Sequence, residues 1–493
     1  MTIRNLAEND DIVVAPCFLN NVVGNICFNT EEAIKSDVNS VLFVCIRGPK
    51  YDTHNDIEKI ISKGIKNIII ERDVNIDVTA DDLNIIRSFD TRKTLAIASR
   101  LYFDCPDKEL KIIGITGTKG KTTVSYMIKD VLENAGIKCG LMGTNGIFYD
   151  GNKYDCVNST PGTYEYYFHL RKMADCRVSY VVCEITSQSL KQYRTYGTVF
   201  DIAVFTNLYP DHIGEDEHKD FYEYRLCKSL IFDKCRKAVL NMDDDNFKYF
   251  ASVCLEKNIP YISFSKLSRF ADYRCRHIRL KCSCSSFFFL NKKITVRLPG
   301  EFNLINALCA SVVLNELGIN SDKIVTGIEN INVPGRCESV ENPFGINIII
   351  DYAHNKESLE NILRALKKRC KRKLYCVFGA GGDRSNLRRI GMGEVAAMYA
   401  DFSVITSDNP RSENPEKIIS DILKGFPEKF NRYIVIPDRE QAIYYALSRA
   451  KKGDTILLAG KGNQNYQEIS GVRYPFNERE VVSRYYNESV IQQ

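Results

Sequence analysis

Residues 115–123 read ITGTKGKTT, and they join the apolar run KIIG to VSYMIKDVLENAG, a run with helical spacing. A strand that turns through Gly117 and Gly120 into a helix leaves backbone N–H groups facing an anion, and the positive end of the helix adds to that attraction. Lys121 has the reach to contact terminal phosphates, and the Thr122 hydroxyl is a suitable Mg²⁺ ligand. The spacing departs from a strict Walker A motif, since isoleucine stands where the first glycine would be. The loop predicts a nucleoside triphosphate site, with a plain glycine-rich strand–helix turn as the alternative.

Composition excludes several classes of protein. The chain has 493 residues and a net charge of +5, with 67 Lys and Arg dispersed among 62 Asp and Glu, so it has no nucleic-acid footprint. No stretch approaches the ~18 apolar residues of a membrane span, and MTIRNLAENDD lacks the apolar core of a signal peptide. We therefore expect a cytoplasmic protein that binds neither nucleic acid nor membrane.

The 18 cysteines are scattered, and in a cytosolic chain they are typical of small buried hydrophobes rather than disulfides. Three lie in or beside apolar strand-like runs: Cys45, Cys183 and Cys376. One group is clustered in YRCRHIRLKCSC, namely Cys275, Cys282 and Cys284 near His277. Zinc sites usually come as CxxC pairs, so this alternating run predicts a β-hairpin, with a metal site as the alternative.

Strand-like and helix-like runs alternate along almost the whole chain, which predicts α/β architecture with parallel sheets. Breaks fall after Pro106 and at NVPGRCE, residues 332–338. We predict three domains, over residues 1–108, 109–333 and 334–493, the last of Rossmann-like type.

Polar residues follow several buried strands, at the sheet edge where ligands of open α/β folds bind. Glu184 closes YVVCE and suits Mg²⁺, with a helix N-cap acid as the alternative. Asp211 and His212 follow another strand in FTNLYPDHIG, where the histidine is either functional or a packing residue. Lys228 lies in a helical pattern, and nothing in its spacing distinguishes it from a solvated lysine.

Eleven motifs occur in the order and rough spacing of the Mur ligase family: GITGTKGKTT, NSTPGT, EITSQSL, FTNLYPDHIG, NMDDDN, LPGEFNLINAL, VPGRCE, IIIDYAHN, VFGAGGDR, SDNPRSENP and LLAGKGN. The resemblance covers nearly the whole chain and is weakest over 1–35 and 247–295. It is strongest to the branch that adds the third residue of the peptidoglycan stem peptide. It implies an N-terminal uridine-nucleotide-binding domain, a central P-loop-like parallel-sheet ATPase, and a C-terminal Rossmann-like domain that binds the amino acid.

The resemblance also implies a reaction. ATP phosphorylates a carboxylate of UDP-MurNAc-L-Ala-D-Glu, and the amine of a diamino acid attacks the acyl phosphate to form an amide. The implied cofactors are ATP and Mg²⁺. The implied role is peptidoglycan precursor synthesis, and hence cell-wall biogenesis, cell shape and cell division, by a cytoplasmic monomer.

Matching motifs assign residues to four implied roles. Catalysis falls to Lys121, Glu184, His212 and Lys228. Metal binding falls to Thr122, Glu184, His212 and a carbamylated Lys228. ATP binding falls to Gly117, Thr118, Lys119, Gly120, Lys121, Thr122, Thr123, Asn303, Asn306, Arg336, Asp351 and His354. The UDP-sugar-peptide is assigned to Ser36, Asn158, Ser159, Thr160, Ser187, Gln192 and Arg194. The amino acid is assigned to Arg384, Asp408, Asn409, Pro410, Arg411, Gly460 and Gln464.

The amino-acid motif SDNPR is the form that the family associates with meso-diaminopimelate, whose distal carboxylate Arg411 could bind bidentately. The family's GKGHE reads GKGNQ here, so Gln464 replaces a glutamate and gives up a charge-assisted gain on the order of 1–2 kcal/mol. The usual Asp-Gly-His of the first domain reads Asp52-Thr53-His54, and the stretch between the Asp-His pair and Lys228 is two residues longer than usual.

These departures leave alternatives open. One is an L-lysine-adding enzyme, or a paralogue that joins another amino acid in a specialised pathway. A folylpolyglutamate synthase is disfavoured because residues 36–78 resemble a separate uridine-type module. A non-catalytic nucleotide-binding relative is disfavoured because Lys121, Glu184, His212 and Lys228 are all present.

Overall fold

The computed structural model describes residues 1–9, 11–35, 40–48, 51–74, 83–211, 213–214, 217–280, 284–383 and 386–491. These residues form two compact units. The first comprises residues 1–121, 132–264 and 270–272, and the second comprises 122–131, 265–269 and 273–493.

The first unit begins with a five-stranded sheet in the order β1-β5-β4-β3-β2. Its strands are β1 (Ile12–Val13), β2 (Asn25–Cys27), β3 (Val41–Val44), β4 (Asn67–Ile70) and β5 (Asn84–Ser88). The accompanying helices are α1 (Ile3–Ala7), α2 (Thr30–Lys35), α3 (Ile57–Ser62) and α4 (Thr91–Tyr102). Strands β2 to β5 pair in parallel, and β3 and β4 are buried along their whole length, as continuous apolar runs require in a parallel sheet.

The larger sheet of this unit carries the strand ends that the motifs single out. Its strands here are ordered β13-β12-β11-β6-β10-β7-β8-β9. They are β6 (Lys111–Thr116), β7 (Cys139–Gly143), β8 (Gly146–Tyr149), β9 (Asn152–Tyr154), β10 (Tyr180–Glu184), β11 (Ile202–Phe205), β12 (Ala238–Asn241) and β13 (Tyr261–Ser265). The helices are α5 (Lys121–Asn134), mostly counted with the second unit, α6 (Thr163–Asp175), α7 (Ser187–Lys191), α8 (Phe221–Ser229) and α9 (Phe247–Glu256).

Strand β6 pairs in parallel with both β10 and β11, and β10 pairs in parallel with β7. The carboxyl ends of these four strands therefore meet at one edge of the sheet. The phosphate loop, Glu184 and the FTNLYPD segment follow three of them, so the topology brings the predicted chemistry together.

The second unit continues with a three-stranded antiparallel sheet, then a six-stranded sheet in the order β18-β19-β23-β20-β21-β22. Its strands are β14 (Tyr273–Arg274), β15 (Arg276–Leu280), β16 (Ser285–Phe289), β17 (Lys292–Val296), β18 (Glu338–Val340), β19 (Asn347–Asp351), β20 (Leu374–Phe378), β21 (Phe402–Ile405), β22 (Tyr433–Val435), β23 (Thr455–Ala459), β24 (Tyr466–Ile469) and β25 (Val472–Pro475). Its helices are α10 (Glu301–Glu316), α11 (Ser321–Glu329), α12 (Lys356–Arg369), α13 (Asn386–Tyr399), α14 (Pro415–Leu423), α15 (Arg439–Arg449) and α16 (Glu478–Ile491).

The predicted α/β class with parallel sheets is confirmed. The hairpin predicted from YRCRHIRLKCSC is also confirmed, because β15 and β16 pair in an antiparallel manner. Cys45, Cys183 and Cys376 are buried, as predicted. No helix in the described part of the chain combines the length and apolar character that crossing a membrane requires. The three domain boundaries stay predictions.

Candidate active site

The phosphate loop is fastened to the end of β11. Asn207 accepts hydrogen bonds from two loop amides, the Thr118 N–H at its backbone carbonyl (2.8 Å) and the Lys119 N–H at its side-chain oxygen (2.8 Å). The Thr206 hydroxyl donates to the Lys119 carbonyl at 2.7 Å. Gly117 has φ 146°, and a Cβ there would lie 1.9 Å from the Thr206 hydroxyl oxygen, so only glycine fits. The loop is fixed in shape by its neighbouring strand.

Two lysine ammonium groups converge on this loop. Nζ of Lys121 and Nζ of Lys228 both donate to the Gly117 carbonyl, at 2.7 and 2.9 Å. Lys228 projects from α8, is almost fully buried, and lies 4.7 Å from the centre of the Tyr224 ring. Burial, with repulsion from Lys121 as the next cause, holds the pKa of Lys228 well below its ordinary value. Lys228 is therefore a buried loop contact rather than a solvated helix lysine.

Lys119 adds a third lysine to the same region. Its Nζ lies 3.1 Å from the Asp211 carboxylate, which is itself largely buried. The loop thus gathers lysine side chains on which an anion could bind, while Asp211 balances part of their charge.

Glu184 ends β10 and is almost fully buried. Its Oε1 accepts from the Thr144 N–H (3.0 Å) and its Oε2 from the Thr144 hydroxyl (2.9 Å). Thr144 follows β7, the neighbouring parallel strand. A buried carboxylate oriented through both oxygens, beside a phosphate loop, has the hard-oxygen chemistry that Mg²⁺ selects.

The residues assigned to the sugar-peptide form a connected network within the first unit. Arg194 donates to the Thr160 carbonyl (2.9 Å) and to the Gln192 side-chain oxygen (2.8 Å). Ser159 lies 2.8 Å from the Thr144 hydroxyl, which links this network to Glu184. Burial lowers the pKa of Arg194 from its ordinary value. Two further members lie apart from these bonds: Asn158 is exposed, and Ser187 contacts His218 at 2.9 Å.

The second unit contains further residues that the resemblance assigns to ATP binding, among them Asn303, Asn306 and Asp351. Asn303 donates to the Pro299 carbonyl (2.7 Å) and accepts from the Asn306 amide (3.2 Å). Asp351 accepts from the Cys337 N–H at 2.8 Å, and desolvation raises the pKa of this carboxyl. Both asparagines are buried.

The remaining nucleotide residues of this unit surround Tyr352. The Arg336 guanidinium lies 4.4 Å from the centre of the Tyr352 ring, and its Nη2 lies 3.4 Å from the Thr122 hydroxyl oxygen. His354 packs edge-on against the same ring at 4.7 Å. Thr123 is buried in the first turn of α5.

The amino-acid residues are organised around Asn409. Its side-chain oxygen accepts from the Lys461 ammonium (2.9 Å) and from the Glu468 N–H (2.9 Å), and its amide donates to the Gln464 oxygen (2.9 Å). Lys461 is fully buried, and burial lowers its pKa from the ordinary value. The substituted Gln464 is therefore joined to Asn409 through an amide–amide bond.

Arg411 and Gly460 flank this centre. Arg411 is half-buried, has φ 53°, and donates from Nη1 to the Gly382 carbonyl at 2.5 Å. Gly460 has φ 114°, and a Cβ there would lie 2.3 Å from an oxygen of the buried Asp408. Pro410, between Asn409 and Arg411, is buried.

Three assigned residues lie outside the described part of the chain: Ser36, His212 and Arg384. The first-domain departure is accommodated. Thr53, in place of glycine, is buried and its hydroxyl accepts from the Ile46 N–H at 2.7 Å. Asp52 still contacts the His54 ring at 2.6 Å.

Sequence reasoning missed Thr144, Asn207 and Lys461. The first two follow buried strands, β7 and β11, so the rule that sites gather at carboxyl strand ends could have identified them. Lys461 follows β23 in the same way, and its total burial was not visible in the sequence.

The chain matches two family models, the Mur ligase middle domain over residues 115–314 and the Mur ligase, glutamate ligase domain over residues 335–462. It is 38% identical over 489 residues to a UDP-N-acetylmuramoyl-L-alanyl-D-glutamate–2,6-diaminopimelate ligase of Clostridium perfringens, covering 98% of this chain and 99% of the relative. A solved structure of a ligase of that same name superposes with a TM-score of 0.71 at 25% identity, covering 99% of both chains. A MurF ligase from Thermotoga maritima in complex with ADP shares the fold, with a TM-score of 0.59 at 18% identity over 95% of this chain and 98% of that one. The chain belongs to the Mur ligase family and is therefore an ATP-dependent ligase.

Proposed function

We propose that this chain is a MurE-type ligase that joins meso-diaminopimelate to UDP-MurNAc-L-Ala-D-Glu in peptidoglycan precursor synthesis, in the cytoplasm and as a monomer. The observation that carries the proposal is the Asp408–Arg411 loop, which the buried Lys461 fixes through Asn409. The loop presents a guanidinium in a chain whose Clostridium perfringens relative is named for 2,6-diaminopimelate. Under this proposal residues 1–108 bind the uridine nucleotide, 109–333 bind ATP, and 334–493 bind the amino acid.

The phosphate loop binds the nucleotide phosphates. Two hydrogen bonds to Asn207 already fix the loop backbone, so little reorganisation of the loop is needed when an anion binds. Lys121 leaves the Gly117 carbonyl and contacts the β- and γ-phosphates, where it offsets the charge that builds during transfer to the acceptor carboxylate. Thr118 stabilises the loop through the bond from its N–H to the Asn207 carbonyl.

Glu184 and Lys228 are the first unit's proposed ligands for Mg²⁺, with His212 as a further ligand. Bound Mg²⁺ supplies charge neutralisation at the phosphates. Thr144 holds the Glu184 carboxylate in one orientation through both of its oxygens. The donor set fits this ion, since a buried carboxylate and a carbamate both offer hard oxygen atoms.

Lys228 becomes a carbamate before it binds metal. Its neutral amine adds to the carbon of CO₂, forming an N–C bond while one C=O pair moves onto oxygen, and the displaced N–H proton goes to water. Burial favours the neutral amine that this step requires. The product exchanges a cation for an anionic oxygen donor.

The amino-acid pocket recognises the far end of the substrate. Arg411 binds the distal carboxylate. The side-chain oxygen of Gln464 accepts from the distal ammonium and also from the Asn409 amide. After phosphoryl transfer, the attacking amine forms the C–N bond, phosphate leaves with the C–O bond electrons, and the amine loses a proton. Exclusion of water from the site protects the acyl phosphate from hydrolysis.

A second candidate is a ligase of the same reaction class that adds L-lysine or another amino acid. Gln464 motivates the latter, because it lacks the glutamate charge that would pair a distal ammonium. The test is a panel of amino acids incubated with ATP and UDP-MurNAc-L-Ala-D-Glu, with products identified by mass. We expect the meso-diaminopimelate adduct to form fastest. Faster product formation with L-lysine or another amino acid would replace the proposal with the second candidate.

A further inference from the structure

A cluster of metal-binding side chains lies on and beside helix α8, and the proposed ligase mechanism does not use it. Glu223 and Cys227 are four residues apart on this helix, so their side chains share one face. His218 precedes the helix, and its side chain returns to the same face. One ligand atom from each of the three lies within 4.8 Å of the other two.

The spacing suits a tetrahedral ion after a small adjustment. A Zn²⁺ ion with bonds of about 2.0 Å to nitrogen and about 2.3 Å to sulfur holds its ligand atoms roughly 3.3–3.8 Å apart. His218 Nδ1 already lies 3.9 Å from Glu223 Oε2. Small rotations of the side chains would shorten the other distances between ligand atoms by about an ångström and bring all three within bonding distance of one ion.

The second nitrogen of His218 is oriented as metal-binding histidines usually are. Nε2 lies 2.9 Å from the Ser187 hydroxyl, and the ring lies 5.2 Å from the Tyr224 ring. Metal-ligating imidazoles use the nitrogen that does not bind metal to contact a fixed polar partner, which sets the tautomer. In the tautomer in which Nε2–H donates to Ser187, Nδ1 has the lone pair that a metal ion requires, and Nδ1 lies 3.9 Å from Glu223 Oε2.

Glu223 and Cys227 add an oxygen and a sulfur donor to the His218 nitrogen. Glu223 accepts from the Lys219 N–H at 2.7 Å and pairs with Lys191 at 2.9 Å, and these contacts keep its pKa below the ordinary value, so the carboxylate is ionised. Cys227 is buried. Imidazole, thiolate and carboxylate together select Zn²⁺ and similar transition ions over Mg²⁺, which prefers oxygen donors alone.

We propose that His218, Glu223 and Cys227 form a binding site for Zn²⁺ or a similar thiophilic divalent ion, with water as the fourth ligand and with a ligand set separate from that of the catalytic Mg²⁺. Binding forms a metal–Sγ bond, and the thiol proton passes to solvent. Because Ser187 is a proposed sugar-peptide contact, occupancy fixes the donor that faces Ser187 and changes the affinity for that substrate. This consequence rests on the proposed function, whereas ion binding does not.

Co²⁺ titration of the metal-free full chain, without substrates, tests the site. We expect a thiolate-to-cobalt charge-transfer band that saturates at one ion per chain and disappears when Zn²⁺ is added. Cys227→Ser should abolish the band, and Glu223→Gln should weaken Co²⁺ binding about 10-fold or more while keeping side-chain size. Cys254→Ser, at a buried cysteine of α9, is the matched control and should behave as wild type.

Glu223 is partly exposed, so its variant remains informative if the buried Cys227 variant fails to fold. A wild-type chain that gives no thiolate band would overturn the proposal, as would a band unchanged in either Cys227→Ser or Glu223→Gln. If the band forms but Zn²⁺ leaves the KM for the UDP-sugar-peptide unchanged, only the effect on that substrate is contradicted, and that effect rests on the proposed function.

Discussion

Lys228 shows how one residue can combine a hydrophobic setting with a reactive amine. It is buried on α8, and its Nζ donates to the Gly117 carbonyl. We predict that Lys228→Ala lowers ADP formation by several orders of magnitude and that short-chain carboxylates restore part of it, because they return an anionic oxygen to the metal. The measurement is ADP release with all three substrates present.

Lys248→Ala, at an exposed lysine of α9, is the control and should retain wild-type activity. Full activity in Lys228→Ala would exclude a carbamate role. Loss without carboxylate rescue would assign Lys228 to loop support through Gly117.

Under the proposed function, Arg411 distinguishes meso-diaminopimelate from lysine, since the two amino acids differ only in the distal carboxylate. A bidentate guanidinium–carboxylate contact is worth about 1.5–3 kcal/mol, or roughly 10- to 150-fold in binding. We predict that Arg411→Ala lowers kcat/KM for meso-diaminopimelate by that factor and narrows its advantage over lysine. Arg411→Lys should give a kcat/KM between those of the wild type and Arg411→Ala, because lysine keeps the positive charge but cannot make the bidentate contact.

Gln464→Glu should lower the KM for meso-diaminopimelate, because a glutamate restores the charge that pairs the distal ammonium. Arg432→Ala, where the guanidinium lies 4.9 Å from the centre of the Phe430 ring, is the control for a lost arginine. A preference that is unchanged in Arg411→Ala would remove the diaminopimelate assignment and favour the paralogue.

At the scale of elements, the parallel neighbours β7 and β10 join Thr144 to Glu184. The Thr144 hydroxyl donates to one carboxylate oxygen and its N–H to the other. We predict that Thr144→Val raises the Mg²⁺ concentration needed for half-maximal activity about 10- to 100-fold, since orienting partners of metal ligands have effects of that size. Thr144→Ser should recover most of the loss. Equal Mg²⁺ requirements in the valine and wild-type enzymes would show that Glu184 does not bind the metal.

Helices α13 and α14 are linked by a buried charge cluster. Arg389 is fully buried and donates to Glu413 at 2.5 and 2.9 Å and to Asp421 at 3.1 Å. We predict that Arg389→Met lowers the free energy of unfolding by about 3 kcal/mol at neutral pH, because Glu413 loses the guanidinium and the buried Asp421 keeps only its pair with Lys424. Lys367→Met, which removes an exposed pair with Asp401, should cost no more than about 1 kcal/mol.

The same cluster gives a pH dependence. Arg389 lowers the pKa of Glu413, and Lys424 followed by Arg389 lowers that of Asp421. Their stabilisation is present above the unfolded carboxyl values of about 4 and is lost as the pH falls through the lower folded values. In denaturant unfolding, the difference in free energy of unfolding between wild type and Arg389→Met should become smaller as the pH falls below about 4. A gap that widens there would contradict this assignment.

Much of this organisation is predictable from the sequence, because buried parallel strands appear as apolar runs that end in polar residues. KIIGIT, YVVCE and IAVF became β6, β10 and β11, and the loop at Gly117 lies where the glycines placed it. What could not be predicted is which side chains meet. The convergence of Lys228 on Gly117, and of Lys461 on Asn409, depends on contacts 111 and 52 residues apart along the chain.

At the scale of the whole molecule, nucleotide binding is linked to stability. A ligand that binds only the folded chain stabilises it by about 2.7 kcal/mol at one hundred times its dissociation constant. We predict that Mg-ATP raises the thermal unfolding midpoint of the wild type, and that at the same concentration Lys121→Ala shows a smaller rise and turnover lower by orders of magnitude. An equal rise and near-normal ADP formation in Lys121→Ala would remove Lys121 from phosphate binding.

The three contacts on Asn409 have a consequence for engineering and for natural drift. Lys461, Gln464 and the Glu468 amide all meet one side chain, so this pocket behaves as a single interlocked part. A library that varies one position at a time will find few tolerated changes, whereas paired changes at 409 and 461 will survive together. If these residues bind the amino acid, as we propose, changing that amino acid calls for replacing residues 408–411 and 460–468 together.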